Sequence, residues 1–138
     1  MNSLPMSYSD HYPEQCPPEQ AYSHVGELFR FINRNNPVPK DFISYYEMNP
    51  TKDWGEKACV ARGLSVVKCC LGVKEMRAAI PALRKKKVSK ANISKNCGLL
   101  ADTPSSSSQR HCTWWVPKSI VEPNKLFMTI DESELSNV

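Results

Sequence analysis

Glycine is scarce in this sequence, with five residues in a chain of 138. Phosphate-binding loops of the P-loop and dinucleotide types need glycines at fixed spacing, because the backbone must approach the phosphates closely. Neither loop occurs, and there is no His-Glu-x-x-His metal motif. These absences exclude the nucleotide-binding folds and zinc peptidases that are built on such motifs.

Long apolar runs are absent as well. No segment approaches the ~20 consecutive apolar residues that cross a bilayer. Residues 1–12 lack the basic start and apolar stretch of a secretory signal. We therefore expect a cytoplasmic protein without membrane contact, and the small size leads us to expect a bacterial or phage source.

The sequence contains no Cys-x-x-Cys pair, although it has six cysteines, at positions 16, 59, 69, 70, 97 and 112. Structural zinc sites usually show paired ligands at short spacing. Buried thiols are therefore favoured over the alternative of zinc bound by Cys59, Cys97, His111 and Cys112. Because the expected compartment is reducing, we predict no intramolecular disulfide. We also expect no bound metal and no cofactor.

A chain of this length can bury about two-thirds of its unfolded surface, enough for one domain with its own core. Residues 1–20 are rich in Pro, Ser and Tyr and poor in aliphatic side chains, which predicts a mobile arm. Residues 21–130 are expected to form the domain, and the acidic residues 131–138 a tail. The predicted fold is a small single α+β domain, with a mixed or antiparallel sheet of four to six strands, two or so helices and disordered ends.

Strands are predicted where β-branched and aromatic residues cluster between turn signals, at 26–32, 64–68, 87–93, 111–116 and 125–130. A short helix is the alternative for 26–32, and 41–46 can be extended or helical. Helices are predicted from Thr51, a plausible N-cap, to Gly63 and from Gly72 to Ile80, where Pro81 ends the helix.

Basic charge is concentrated in one part of the chain. Residues 76–101 contain seven Lys or Arg and no Asp or Glu, whereas the whole chain carries +4, so the remainder sums to 4 − 7 = −3. Such a segment attracts an acidic protein or nucleic acid, although it is also typical of a solvated face. The predicted binding residues are Arg84, Lys85, Lys86, Lys87, Lys90, Arg110, His111 and Trp115.

The last two of these residues lie on the predicted strand at 111–116. Neighbouring side chains of a strand face opposite ways, so His111, Thr113 and Trp115 share one face. A His beside a large aromatic predicts a contact site, while paired Trp residues also commonly anchor a core. The favoured function is a small binding protein that engages an acidic partner, protein or nucleic acid, through the basic face and this strand.

Catalysis is the alternative function. A nucleophilic mechanism needs a Cys or Ser brought to His111 together with an orienting acid, and no flanking pattern marks such a nucleophile. His111 is the strongest candidate base, because the other two His lie in the predicted arm or at its border. Arg110 and His111 could bind a nucleotide together with Arg30.

The sequence LFRFI at Leu28–Ile32, followed by DFIS at Asp41–Ser44, resembles the opening of bacterial ADP-ribosyltransferase-type domains. The resemblance implies an enzyme that uses NAD, with Arg30 contacting the dinucleotide and Ser44 or Tyr45 in the pocket. Glu122 is the nearest counterpart of the glutamate that these enzymes carry. The catalytic candidates are therefore His111, Arg30 and Glu122, in a small NAD- or nucleotide-using enzyme.

Overall fold

Six β-strands form one antiparallel sheet in the computed structural model, which describes residues 6–135. Their spatial order is β4-β5-β2-β1-β3-β6, and the strands are β1 (Gly26–Ile32), β2 (Leu64–Val67), β3 (Lys87–Ile93), β4 (Leu99–Asp102), β5 (His111–Trp115) and β6 (Met128–Thr129). The same residues contain three α-helices, α1 (Tyr45–Met48), α2 (Cys70–Ala79) and α3 (Glu132–Leu135). The predicted small α+β domain is confirmed.

Each face of the sheet carries its own apolar cluster, because alternate residues of a strand point to opposite faces. The first cluster includes Leu28 of β1 and Trp114 of β5, and Phe127 packs onto it. The second includes Phe29 of β1 and Val73 of α2, so α2 covers this face. The predicted division of β1 and β5 into two faces is confirmed.

Helix α2 ends where the sequence predicts but begins earlier. Cys69 has extended backbone angles and precedes the first helical residue, Cys70, whereas the apolar periodicity predicts a start at Gly72. Pro81 opens a 3₁₀ turn, Pro81–Lys85, directly after the helix. None of the helices in the described part of the chain has the length and hydropathy of a membrane span.

Two other predicted elements differ from the structure. The predicted helix before Gly63 consists of two 3₁₀ turns, Gly55–Lys57 and Val60–Arg62. Gly55 has a φ of 54°, so a continuous α-helix cannot run through this residue. The predicted strand at 125–130 is shorter, because a 3₁₀ turn, Pro123–Leu126, precedes the two residues of β6.

The segment 41–46 joins two short helical elements through two extended residues, Ile43 and Ser44. The 3₁₀ turn Pro39–Phe42 leads to Ser44, the N-cap of α1. The Ser44 hydroxyl accepts from the backbone N–H of Glu47, and the Glu47 carboxylate accepts from the backbone N–H of Ser44. This reciprocal capping box fixes the start of a helix that is only one turn long.

Residues 6–20 lie against the domain, where the sequence predicts a mobile arm. The Lys118 N–H donates to the Ser7 carbonyl at 2.8 Å, and a disulfide joins Cys16 to Cys59. The prediction of no intramolecular disulfide is therefore wrong. The two cysteines are 43 residues apart in the sequence, so local spacing gives no sign of their contact.

Both predicted chain ends extend beyond the described residues. Residues 1–5 of the predicted arm and residues 136–138 of the predicted tail lie outside them. Within the tail, Leu135 is buried in the second apolar cluster. The residues from 131 to 135 are therefore packed on the domain rather than extending from it.

The sheet is open between β1 and β2. Among the described residues these strands pair only at Phe29 and Val67. A continued antiparallel register would bring Phe31 opposite Ser65, but that pair is not formed. We call this opening the β1–β2 seam; it lies in the middle of the sheet, since two further strands flank it on each side.

Candidate functional site

A cleft of about 300 Å³ occupies the β1–β2 seam. Its walls come from β1, β2, α1 and the turn that follows α2. The lining includes the cations Arg30, Lys40 and Lys86 and the hydroxyl residues Ser44, Tyr45 and Ser65. The cleft therefore joins residues that lie far apart in the sequence.

Arg30 spans the seam at the base of this cleft. Its Nε donates to the Asp41 carbonyl at 2.9 Å, and its Nη1 donates to the Ser65 carbonyl at 2.8 Å. Its guanidinium lies 5.3 Å from the centre of the Phe42 ring. Burial lowers the pKa of Arg30 to about 10, so the side chain remains a cation at neutral pH. Arg30 thus supplies donors to backbone carbonyls where the β1–β2 ladder is missing.

The carboxylate of Asp41 is fixed by the turn beside the cleft. Asp41 is buried, and its two oxygens accept from the backbone N–H groups of Asn33 and Val38 at 2.9 and 3.0 Å. These bonds hold the loop between β1 and α1. They also place a carboxylate within the lining of a cleft that otherwise carries positive charge.

The rim of the cleft combines free positive charge with exposed apolar groups. Lys40 and Lys86 form no ion pair with any residue in the described range 6–135. Tyr45 is 56% exposed, Met48 61% and Ile80 37%. Tyr45 and Met48 are three residues apart in α1, which places them on the same side of that helix.

Half of the predicted basic face is engaged by other parts of the chain. Lys90 pairs with Glu27 at 3.2 Å and with Glu134 at 3.7 Å, and Arg110 pairs with Glu75 at 2.7 Å. Arg84 donates to the backbone carbonyls of Arg77 and Ala78 at the end of α2. Of the six basic residues predicted to bind, only Lys90 and Arg110 form ion pairs within the described chain; Lys85, Lys86 and Lys87 have neither an ion pair nor a backbone carbonyl bound to the charged group.

Trp115 cannot contact a partner, which corrects the prediction from sequence. Trp114 and Trp115 are both 0% exposed. Trp115 Nε1 donates to the Cys59 carbonyl at 2.9 Å and Trp114 Nε1 to the Cys97 carbonyl at 2.7 Å. The alternation of residues along a strand predicts which side chains share a face. It does not predict that other parts of the chain cover both faces of the sheet.

His111 lies on β5 and holds two hydrogen bonds that define its tautomer. Its Nδ1 is 2.9 Å from the Thr103 carbonyl oxygen, and its Nε2 is 2.9 Å from the Ser65 hydroxyl oxygen. Because a carbonyl can only accept, Nδ1 carries the proton and Nε2 accepts from Ser65. Burial lowers the pKa of His111, so the ring is neutral at pH 7.

Ser65 was not predicted as a functional residue. It lies in a β-branched run, where a single Ser stands out only weakly, and it is 46 residues from His111 in the sequence. The antiparallel pairing of β2 with β5 brings the two together. The same residue lines the cleft.

The three catalytic candidates are not assembled into one site. Arg30, Ser44 and Tyr45 line the same cleft, as the family resemblance implies. Glu122 instead lines a second cavity, of about 520 Å³, and pairs with Lys125 at 3.0 Å. His111 reaches the first cleft through its bond to Ser65.

The alternative zinc site is not assembled either. Cys59 is bonded to Cys16, which removes its thiolate as a ligand. Cys112 Sγ lies 3.5 Å from Asp102 Oδ1, and burial raises the pKa of Cys112 to about 11. In the described part of the chain, no three His, Cys, Asp or Glu side chains are grouped to hold a metal ion.

Comparison with known proteins gives no relative for this chain. No family model matches it, and neither the curated proteins nor the solved structures contain a significant match. Its function is therefore inferred from the chemistry of the cleft itself.

Proposed function

We propose that this protein is a binding module that takes an acidic segment of a partner protein into the cleft at the β1–β2 seam. The observation that carries the proposal is the composition of the rim. Lys40 and Lys86 form no ion pair with the described residues, and exposed Tyr45, Met48 and Ile80 lie beside the same opening. Charged and large apolar side chains that are exposed together around one groove are typical of a binding site.

The two kinds of rim residue have different effects on a bound segment. Apolar side chains of the partner lose contact with water against Tyr45, Met48 and Ile80, which provides affinity. Lys40 and Lys86 attract negative charge, which favours acidic segments and increases the rate of association. Lys85, the last residue of the turn Pro81–Lys85, and Lys87, the first residue of β3, add positive charge on either side of Lys86 in the sequence.

A peptide is favoured over nucleic acid as the occupant. At the open seam, the residue pair Phe31 and Ser65 of β1 and β2 is not formed. Extended peptides commonly bind beside strands that lack a partner. Binders of single-stranded nucleic acid stack bases on exposed aromatic side chains. Trp114 and Trp115 are buried, which leaves Tyr45 as the one strongly exposed aromatic side chain in the cleft lining, and a single ring does not form such a stacking surface.

The cytoplasmic location expected from the sequence stays a prediction. Disulfides persist in oxidising compartments and are rare in the cytosol. The bridge between Cys16 and Cys59 therefore argues against a reducing location for the folded protein.

The test uses short fluorescein-labelled peptides in which Glu alternates with Leu or Phe, followed by fluorescence anisotropy at low and high salt. We expect these peptides to bind more tightly than matched peptides with Lys in place of Glu. The double variant Lys40→Glu with Lys86→Glu should weaken binding at least about tenfold, which corresponds to ~1.4 kcal/mol. Met48→Ala should weaken binding without changing its salt dependence.

The matched control is Lys57→Glu with Lys95→Glu, which reverses two exposed lysines away from the cleft and produces the same change in net charge. It should bind like the parent protein. The proposal fails if both double variants lose affinity equally, since the effect would then come from net charge alone. It also fails if a single-stranded oligonucleotide binds the parent more tightly than every acidic peptide.

A further inference from the structure

Beyond binding, we propose that Ser65 and His111 form a hydrolytic pair, nucleophile and general base, that cleaves carboxylic esters whose acyl group enters the β1–β2 cleft. This inference does not depend on the acidic partner, because it is based on the contacts of Ser65 and His111 alone. It concerns a residue, Ser65, that the binding role does not use.

The two side chains have the mutual geometry that the chemistry needs. A nucleophile and its base must lie within hydrogen-bond reach, and Ser65 Oγ is 2.9 Å from His111 Nε2. Ser65 pairs with Thr113 and His111 with Val67, so the pair bridges β2 and β5 diagonally. Because both residues are on rigid strands, their positions are set by the sheet rather than by a loop.

A third group orients the imidazole. The Thr103 carbonyl accepts from Nδ1 at 2.9 Å, and the Thr103 hydroxyl lies 3.0 Å from the same nitrogen. The acid of a Ser-His-Asp triad has this role, in which it holds the tautomer whose Nε2 can take the proton of the serine. A neutral carbonyl fixes the tautomer in the same way, although it stabilises the imidazolium less than a carboxylate does.

The imidazole is in its basic form at neutral pH. Desolvation lowers the pKa of His111, and the bond to Thr103 opposes that shift only in part. The groups bonded to the ring are neutral, namely Ser65 and the carbonyl and hydroxyl of Thr103. The adjacent residue Arg110 is paired with Glu75 of α2 at 2.7 Å, so its charge is balanced locally.

The cleft provides access for the substrate and an environment for the reaction. Ser65 is half-buried and belongs to the lining. On the face covered by α2, the lining is apolar and includes Phe31, Met76 and Leu83, which suits a short acyl chain. The Arg30 guanidinium donates to the Ser65 carbonyl, so a buried positive charge lies beside the backbone of the proposed nucleophile.

The reaction has two halves. Ser65 Oγ attacks the ester carbonyl carbon while Nε2 takes the hydroxyl proton, and His111 then gives that proton to the leaving alcohol oxygen as the C–O bond breaks. Water next attacks the acyl group on Ser65 and gives a proton to Nε2. That proton returns to Oγ as the acid leaves, so one ester and one water give one acid and one alcohol.

The experiment treats the full chain with a fluorophosphonate probe, which forms a P–O bond to an activated serine and releases fluoride, and locates the label by peptide mapping. We expect the label on Ser65 and turnover of p-nitrophenyl butyrate. Ser65→Ala should abolish both. His111→Gln should slow labelling at least about 100-fold, the usual effect of losing a general base. The labelling rate of the parent should rise with pH and level off with a midpoint below 6.5, the ordinary pKa of His.

Ser94→Ala, which removes an exposed hydroxyl outside the cleft, is the control and should label like the parent. Thermal melts establish that each variant is folded. If His111→Gln does not fold, Ser65→Cys provides a second test of the pair. Its alkylation by iodoacetamide should outpace that of the exposed Cys69 and follow the same pH profile. The proposal is overturned by a folded parent that stays unlabelled, by label on another residue, or by a labelling rate that does not respond to pH.

Discussion

The strand β2 has two edges that behave differently. Toward β5 it forms four consecutive residue pairs, from Leu64 with Trp114 to Val67 with His111; we call this contact the β2–β5 seam. Toward β1 it forms one pair, Phe29 with Val67. The closed edge forms part of the core and the open edge forms the cleft. In this protein the candidate site is a place where the sheet does not complete its own hydrogen bonds.

The closed edge depends on a close approach between Gly63 and β5. A side chain at Gly63 would collide with the methyl group of Thr113 and lie 3.2 Å from the Trp115 indole nitrogen. Only a glycine therefore lets the chain enter β2 at this distance from β5. The indole donors of both Trp residues are satisfied by backbone carbonyls, which allows these large side chains to be buried completely.

The open edge depends on Arg30 and the turn that contains Asp41. The guanidinium links the carbonyls of Asp41 and Ser65 across the gap, so the separation of the strands does not leave these acceptors unpaired. A buried carbonyl without a donor would cost about 1–3 kcal/mol.

The largest effect is expected at the closed edge. Trp114 is fully buried in the first apolar cluster, and Trp114→Ala should lower the free energy of unfolding by about 3–5 kcal/mol because it leaves a large cavity. Urea denaturation followed by circular dichroism measures the change. Loss of less than ~1 kcal/mol would mean that Trp114 is exposed and that the seam is not closed as described.

The disulfide comes next, because it ties residues 6–20 to the turn whose Cys59 carbonyl accepts from Trp115. Cys16→Ser should lower the free energy of unfolding by about 2–4 kcal/mol, since the denatured chain regains the freedom that the cross-link removes. Limited proteolysis should then cut within residues 6–20. Cys69→Ser, at an exposed free cysteine, is the control. Six free thiols in the unreduced parent would contradict the bridge.

At the open edge, Arg30→Met keeps much of the side-chain volume and removes the donors. We expect the free energy of unfolding to fall by about 1.5–3 kcal/mol, the usual range for hydrogen bonds from a charged group. Arg30→Lys should recover only part of this loss, because an ammonium group cannot reproduce the planar fork that reaches both carbonyls. Equal stability of the Met variant and the parent would show that the seam does not need this bridge.

The smallest effect on stability is expected from the basic turn after α2. Lys85→Glu with Lys86→Glu should change stability by no more than ~0.5 kcal/mol per residue, because neither lysine forms an ion pair with the described residues. Binding of the acidic peptides should weaken and become less dependent on salt, since Lys40 alone then remains at the rim. If the double variant binds like the parent, the turn is a solvated face and the partner is held by Lys40 and the apolar rim alone.

The strands were the most predictable part of the molecule. β1, β2, β3 and β5 follow from runs of β-branched and aromatic residues, and alternation along β1 and β5 indicated which side chains share a face. The end of α2 followed from Pro81. Local chemistry decides these features, because a strand's pleat and a proline's missing N–H act over a few residues.

The predicted binding residues agree less well with the structure than the predicted strands do. Lys85, Lys86 and Lys87 keep free charge, but Arg84, Lys90 and Arg110 are engaged by carbonyls and carboxylates from other segments. Such partners cannot be read from a run of charge, because Glu75 is 35 residues from Arg110 and Glu27 pairs with Lys90 from the neighbouring strand. Arg30 was identified, although its hydrogen bonds to the backbone were not.

By itself, then, the sequence determined the class of fold, the position of most strands, the faces of β1 and β5 and the concentration of basic charge. Only the tertiary structure decided that Trp115 is covered, that Cys16 meets Cys59, that Ser65 meets His111 and that β1 separates from β2. Each of these depends on which distant segments become neighbours. Which segments become neighbours depends on how the two apolar clusters pack together, and no short segment of the sequence determines that packing.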